Sequence, residues 1–108
     1  MADGAEVRLC ALDELLDGGA RRFDIDKHRI AVVRIDDAVY AIGDRCTHQD
    51  ISLSEGEVHV AECQLECWKH GSTFSLKSGR PDTLPATKPV PVYEVRIAGG
   101  DVFVKMPA

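Results

Sequence analysis

Short runs of β-forming residues recur along this chain, and each run ends at a turn signal. The runs are EVRL, ARRFDI, HRIAVVRI, AVYAI, GEVHVAEC, STFSL, VYEVRI and DVFVK. Such spacing is typical of an all-β sandwich or barrel. Because 108 residues have room for one core only, we predict a single domain over residues 1–108.

Two pairs of runs are predicted to form hairpins. AGGD joins VYEVRI to DVFVK through a glycine turn, and IDDA joins HRIAVVRI to AVYAI through polar turn residues. VYEVRI alternates as a half-buried strand does, with Tyr93, Val95 and Ile97 on one face and Glu94 and Arg96 on the other.

Two segments depart from the β pattern. In ALDELLDGG, Leu12, Leu15 and Leu16 share one helical face and Gly18 can end the turn in the left-handed conformation. We expect one or two turns of helix there. The segment RPDTLPATKPVPVY is expected to be an extended loop or edge, because proline lacks the N–H that a central strand donates.

Composition and charge argue against several classes of partner. The formal net charge is −5 with no cluster of Lys and Arg, which argues against nucleic acid. No apolar run approaches the roughly 18 residues that a membrane span requires. The start of the chain, MADGAEVRLC, has no basic leader and no apolar signal segment, so we expect a cytoplasmic protein. In that setting four cysteines favour metal or redox chemistry over disulfides.

Four residues form two closely spaced Cys/His pairs. Cys46 and His48 are separated by one residue, Cys67 and His70 by two, and 18 residues lie between the pairs. Chance pairing is improbable in a chain with only four cysteines and four histidines. A structural zinc site is the more serious alternative, since Cys₂His₂ is a common tetrahedral set. Zinc fingers, however, normally pair Cys with Cys and His with His, whereas this mixed order suits a binuclear cluster to which both loops contribute a ligand for each of two irons.

The stretches CTHQDISL and CWKHGSTF resemble the two cluster-binding loops of small soluble Rieske ferredoxins. The similarity runs from about Val7 to the C-terminus and includes Leu53, five residues after His48. SGRP and LPATKPVPVYEV are similar to the third loop of that family and the strand that follows it. The resemblance implies three stacked antiparallel sheets with a cluster-binding subdomain, about residues 44–82, at one tip.

The resemblance also implies a cofactor and its ligands. One [2Fe-2S] cluster would be bound by thiolates of Cys46 and Cys67 at the inner iron and by imidazoles of His48 and His70 at the outer iron. Neutral imidazoles raise the potential of such clusters to about −150 to +300 mV, against about −400 mV for plant-type ferredoxins.

Residues around the cluster are expected to tune it. Gly71 and Gly43 would let backbone come close to the cluster, with an ordinary turn as the equal alternative for Gly43. Respiratory members of the family carry a loop disulfide that this chain lacks, and a serine and a tyrosine after the last histidine. Ser72 is retained here and Phe74 replaces the tyrosine, so we predict a potential in the lower half of the Rieske range.

The function implied is electron transfer without substrate turnover. The chain would carry electrons from a flavin-dependent NAD(P)H reductase to the terminal oxygenase of a ring-hydroxylating dioxygenase. Alternatives within the family are a ferredoxin of an iron-sulfur cluster assembly system and the small subunit of a nitrite reductase. From a different class, a zinc-stabilised β interaction module stays open.

The remaining cysteines and histidines lack a partner at ligand spacing. Cys63 is expected to be a small buried side chain on the GEVHVAEC strand, with an alternative ligand role or a bond to Cys10 less favoured. His28 and His59 are interpreted as surface residues. Trp68 is expected to shield the cluster rather than to contact a partner.

Overall fold

Antiparallel strands account for most of the regular structure. The computed structural model describes residues 6–25, 28–45, 52–68, 71–81 and 88–106. Within these ranges, two 3₁₀ helices cover Leu12–Glu14 and Leu53–Glu55. The strands are β1 (Glu6–Ala11), β2 (Ala20–Ile25), β3 (His28–Ile35), β4 (Ala38–Gly43), β5 (Val58–His59), β6 (Gln64–Glu66), β7 (Thr73–Ser75), β8 (Val92–Ala98) and β9 (Asp101–Lys105).

The strand order confirms the predicted three-sheet arrangement. Six strands follow the order β1-β9-β8-β4-β3-β2, and a separate sheet has the order β5-β6-β7. Strand β8 belongs to both halves of the larger sheet: Val92 and Tyr93 pair with β4, and Glu94–Ala98 pair with β9. The halves β1-β9-β8 and β4-β3-β2 are therefore two sheets joined where β8 passes from one to the other.

The sheet β4-β3-β2 is the middle layer, because its longest strand is buried on both faces. Ile30, Ala31, Val32 and Val33 of β3 are all fully buried. Since successive side chains point to opposite faces, Ile30 and Val32 pack with residues of β9, whereas Ala31 and Val33 pack toward the β5-β6-β7 sheet. This sandwiching explains why HRIAVVRI reads as a continuous apolar run rather than an alternating one.

Both predicted hairpins are confirmed. Ile35 pairs with Ala38 across a two-residue turn in which Asp36 has a φ of 54°, and Ala98 pairs with Asp101 across Gly99 and Gly100. The two glycines have φ values of 59° and 80°, as a primed hairpin turn requires.

Burial along β8 follows the predicted alternation only at its start. Tyr93 is buried, Val95 is half-buried and Ile97 is 39% exposed. The side chains on the core-facing side of β8 thus become more exposed to solvent toward the tip of the hairpin.

The helix predicted in ALDELLDGG forms as a single 3₁₀ turn, within the predicted one or two turns, but the prediction of its buried face is wrong. Only Leu12–Glu14 form a single 3₁₀ turn, after which Leu15 returns to an extended conformation. Leu15 is buried, but Leu16 is 80% exposed. The Arg34 guanidinium donates hydrogen bonds to the carbonyls of Leu12 and Leu15, at 3.3 and 3.0 Å, and so occupies acceptors that a longer helix would use. Gly18 does adopt the left-handed conformation, with a φ of 77°.

The prediction of one strand over GEVHVAEC is also wrong. Strand β5 has two residues, the chain reverses over residues 60–63, and β6 returns with Val58 paired to Leu65. Cys63 lies in this turn with a φ of 57° and is half-buried, so it is not a fully buried strand residue.

The described part of the proline-rich segment agrees with the prediction of a loop. In the proline-rich segment, residues 82–87 lie outside the described residues, and residues 88–91 belong to no strand, as expected of a loop.

Among the residues that the structure describes, no helix is both long enough and apolar enough to cross a membrane.

Candidate metal centre

Three of the four predicted ligands, Cys46, His48 and His70, lie outside the described residues, and Cys67 lies within them. The structure describes the residues that flank the predicted ligands in the sequence, and we call these flanking residues the stems. We call residues 46–51 the first loop, between Arg45 and Ser52, and residues 68–71 the second loop, between Cys67 and Ser72.

The stems of the two loops pack in one hydrophobic cluster. Leu53, just after the first loop, is fully buried and shares this cluster with Cys67, just before the second loop. Leu65 and Phe74, which are opposite each other on β6 and β7, complete the contact. The fold therefore brings the bases of the two loops together, as a shared site requires.

The first loop is closed by a buried carboxylate. Arg45 and Ser52 form an isolated antiparallel bridge, and the Leu53 N–H donates to the Asp44 carbonyl at 2.5 Å. The Asp44 side chain is fully buried. Its Oδ1 accepts the Ser54 N–H at 2.8 Å, and its Oδ2 accepts the Ser52 hydroxyl.

Two arginines from the middle sheet face the same carboxylate. Arg22 Nε lies 3.8 Å and Arg29 Nη2 lies 3.9 Å from Asp44 Oδ2. The Arg29 carbonyl also accepts the Asp44 N–H at 2.9 Å. Sequence reasoning missed Asp44; its only local signals are its place two residues before Cys46 and the serines that follow the loop.

The second loop is closed by backbone hydrogen bonds. The Cys67 N–H donates to the Ser72 carbonyl at 2.7 Å, and the Gly71 N–H donates to the Cys67 carbonyl at 2.9 Å. Gly71 has a φ of 77°, a conformation that glycine adopts without steric cost. The nearest described neighbour of a Cβ at Gly71 would be Glu66 Oε2 at 4.0 Å, so backbone conformation rather than space favours glycine.

The described part of the predicted site suits a bound metal cluster. Cys67 is 1% exposed, and Ser72 and Phe74 are fully buried. A buried cysteine at the end of a hairpin, whose backbone pairs with that of a buried serine, fits a thiolate ligand on the inner side of a cluster. Cys10, Cys63 and Cys67 form no disulfide within the described ranges.

Two other expected neighbours of the cluster, Gly43 and Trp68, lie within the described residues. Gly43 ends β4, and a Cβ there would lie 2.8 Å from Pro91 Cδ, so its described role is to allow the close approach of Pro91. Trp68 is 52% exposed, so half of its surface stays uncovered, and the shielding role stays a prediction.

The remaining cysteines have separate environments. Cys10 is buried in the core between β3 and β9, where burial raises the pKa of its thiol. Cys63 packs at the edge of the other core, and a hydrogen bond with Cys63 raises the pKa of the Tyr40 hydroxyl. A bond between Cys10 and Cys63 is therefore not formed.

The two histidines that were expected at the surface are only partly exposed. His28 Nδ1 lies 3.1 Å from the Tyr93 hydroxyl, and His59 Nε2 lies 2.7 Å from Glu66 Oε1. The hydrogen bond with Glu66 raises the pKa of His59. Glu57 lies close to this pair, which sits on the β5-β6 hairpin that leads to the second loop.

A comparison of the sequence with known protein families agrees with the fold. The family model described as the Rieske [2Fe-2S] domain matches residues 5–94. The chain therefore belongs to the Rieske [2Fe-2S] domain family.

Relatives narrow this similarity to ferredoxin components. The chain is 38% identical over 101 residues to the 3-phenylpropionate/cinnamic acid dioxygenase ferredoxin subunit of Escherichia coli (strain K12), covering 94% of this chain and 93% of that protein. The ferredoxin of carbazole 1,9a-dioxygenase from Nocardioides aromaticivorans IC177 superimposes with a TM-score of 0.91 at 35% identity, covering 94% and 98% of the two chains. A chain from a complex of reduced oxygenase and oxidized ferredoxin in carbazole 1,9a-dioxygenase has a TM-score of 0.85 at 36% identity, covering 93% and 92%.

Proposed function

We propose that this chain is a Rieske-type ferredoxin that carries single electrons from a flavin-dependent NAD(P)H reductase to a terminal oxygenase. The observation that carries this proposal is the match to dioxygenase ferredoxin subunits over nearly the full length of both chains. The chain is an electron-transfer component and has no substrate turnover of its own. A complex between such a ferredoxin and its oxygenase, in the carbazole system, supports the oxygenase as the acceptor.

The electron would reside on one [2Fe-2S] cluster bound by Cys46, Cys67, His48 and His70. When bound, the cluster accepts and releases one electron at a potential raised by its two imidazole ligands. The chain's own part is to hold the two loops at a fixed separation, so that little rearrangement accompanies the change in charge. The shared cluster of Leu53 and Cys67 and the closed ends of both loops serve that purpose.

The residues after His70 set the potential within the Rieske range. Ser72 is fully buried at the end of the second loop and can donate its hydroxyl hydrogen bond toward the cluster. Phe74 is fully buried in the core and has no hydroxyl to donate. We therefore place the potential in the lower half of about −150 to +300 mV.

The whole chain, residues 1–108, would be one Rieske domain whose cluster-binding subdomain spans about residues 44–82. We also propose that it acts in the cytoplasm, where NAD(P)H is available to the reductase.

Reconstitution with redox partners tests the proposal. The anaerobically purified protein is mixed with NADH and the flavoprotein reductase of a ring-hydroxylating dioxygenase, and bleaching of the visible cluster absorbance is followed. The protein should bleach with a limiting amount of NADH, and it should recover its colour when oxidised terminal oxygenase is then added, because no NADH is left to reduce it again. The Cys67→Ser variant is the control that should show neither change.

The alternatives give different outcomes in the same experiment. A zinc-stabilised interaction module would be colourless and would not bleach. An iron-sulfur assembly ferredoxin or a nitrite reductase subunit would be coloured but would fail to pass its electron to the oxygenase. Either outcome would contradict the proposed function.

A further inference from the structure

We propose that Asp44 is the positioning residue of the first loop, and that it holds the loop closed so that Cys46 and His48 bind the same cluster as the second loop. This inference rests on the proposed function. Asp44 is not in the predicted ligand set, and its role follows from the contacts of four of its atoms.

Those four atoms join the two ends of the first loop. Before the loop, the Asp44 N–H donates to the backbone carbonyl of Arg29 in β3 at 2.9 Å. This hydrogen bond joins the start of the loop to the middle sheet. On the outgoing side, the Asp44 carbonyl and both carboxylate oxygens accept hydrogen bonds from Leu53, Ser54 and Ser52. One residue thus connects the middle sheet, the start of the loop and its end.

Hydrogen bonds, rather than the nearby arginines, carry most of this connection. The Arg22 and Arg29 nitrogens are 3.8 and 3.9 Å from Asp44 Oδ2, beyond hydrogen-bond range. Arg22 also has a closer partner, because its Nε lies 2.8 Å from Asp24 Oδ1. The arginines offset the charge of a carboxylate that is fully buried, and the serines fix its direction.

The described closures of the two loops differ in one respect, the buried carboxylate of the first. The second loop is a short hairpin end in which backbone hydrogen bonds join Cys67 to its neighbours in the turn. The first loop has six residues, and beyond Asp44 the described link between its flanks is the single bridge of Arg45 with Ser52. The buried carboxylate adds two hydrogen bonds, from Ser52 and Ser54, to this bridge and to the backbone bond between Leu53 and Asp44.

Asp44→Asn tests the inference with little change in shape. The asparagine keeps one acceptor oxygen and replaces the other with an NH₂ group, so it cannot accept from both Ser52 and Ser54. The matched control is Asp101→Asn, which removes an exposed carboxylate paired with Arg8 at 2.9 Å on a hairpin of the β1-β9-β8 sheet. The measurements are the half-life of the cluster absorbance under an iron chelator and the EPR spectrum of the reduced protein, with far-UV circular dichroism to confirm folding.

We expect Asp44→Asn to fold, to lose its cluster about 10- to 100-fold faster than wild type, and to show shifted EPR g values. Asp101→Asn should match wild type in both readouts. If Asp44→Asn does not fold, Ser52→Ala takes its place and should accelerate cluster loss severalfold, with Ser52→Thr restoring the wild-type rate.

Other outcomes overturn the inference. A folded Asp44→Asn protein with wild-type half-life and spectrum would show that Asp44 does not position the loop, as would an unchanged rate for Ser52→Ala. In both cases the wild type still carries its cluster, so the proposed function stands. A wild-type protein without iron and sulfide would overturn the proposed function together with the inference.

Discussion

The two loops of the candidate site are closed in different ways. Backbone hydrogen bonds of Asp44, together with the two acceptors of its buried carboxylate, close the first loop, whereas the second is described by backbone hydrogen bonds and a left-handed glycine. The first loop therefore depends on the identity of Asp44 and its serine partners. The second depends on a conformation that most side chains disfavour. Substitutions that damage one loop should leave the other intact.

Both loops nevertheless rise from one rigid base. Residues that adjoin them, Leu53 and Cys67, share a hydrophobic cluster with the β5-β6-β7 sheet and with the inner face of β3. Because packed interiors resist small displacements, the base can keep two differently built loops in register. Changes within the loops should thus affect the cluster more than the global fold.

The largest expected effect comes from Cys67, the proposed ligand that precedes the second loop. Cys67→Ser should retain less than about one-tenth of the wild-type iron and sulfide, because the thiolate is lost. Cys63→Ser, four residues earlier and half-buried, is the matched control and should keep its cluster. Iron and acid-labile sulfide analysis of both purified variants provides the comparison. Full cluster content in Cys67→Ser would remove Cys67 from the ligand set.

Gly71→Ala should act on both stability and the cluster. Forcing alanine to a φ of 77° costs about 1–2 kcal/mol, and the strain falls on the second loop. Gly100→Ala is the matched control, because its φ is 80° and its Cβ would meet no atom within 4 Å. Denaturant unfolding should show similar losses of free energy for the two variants, while only Gly71→Ala speeds cluster loss under a chelator. Equal cluster lifetimes would mean that the second loop tolerates a different closure.

Ser72→Ala should lower the reduction potential while leaving the cluster bound. A hydrogen bond that is about 1 kcal/mol stronger to the reduced state corresponds to roughly 40 mV. The control is Ser75→Ala on β7, whose hydroxyl accepts from the N–H groups of Lys77 and Ser78. Protein-film voltammetry measures both variants. A potential for Ser72→Ala equal to that of wild type would show that the hydroxyl points away from the cluster.

The smallest expected effect is a pH dependence in the hairpin that supports the second loop. The hydrogen bond with Glu66 raises the pKa of His59, so protonated His59 is stabilised in the folded state. Its contribution is present below the unfolded pKa of about 6.5 and is lost as the pH rises through the raised folded pKa. The free energy of unfolding of wild type minus that of Glu66→Gln should therefore be larger at pH 6 than at pH 8.5. Glu57→Gln, which removes a weaker interaction with His59, should show a smaller difference, and a pH-independent gap for Glu66→Gln would contradict the assignment.

Local turn chemistry and periodicity predicted much of the fold. IDDA and AGGD specify two-residue turns whose residues accept positive φ, and both hairpins formed as predicted. The helix predicted over Leu12 to Leu16 is limited to one 3₁₀ turn, and Arg34, distant in sequence, donates to two of the carbonyls that a longer helix would use. Strand β6 was missed because Gln64–Glu66 are too few to show a period.

The sequence motif leads to the candidate ligands and their neighbours, which stay predictions. It does not lead to residues whose role comes from contacts with other strands. Gly71 and Ser72 follow from their place beside His70 in the sequence. Asp44 could not be identified in the same way, because its role depends on Arg22 and Arg29 from other strands and on serines beyond the loop. Its burial is visible only in the folded chain.

Metal and sulfide analysis of the anaerobically purified wild-type protein, with EPR of its reduced form, tests the central claim most directly. If the two loops hold one Rieske cluster, each chain contains about two irons and two acid-labile sulfides, and the reduced protein gives a rhombic EPR signal. Bound zinc without sulfide, or a protein that carries no metal, would contradict the account.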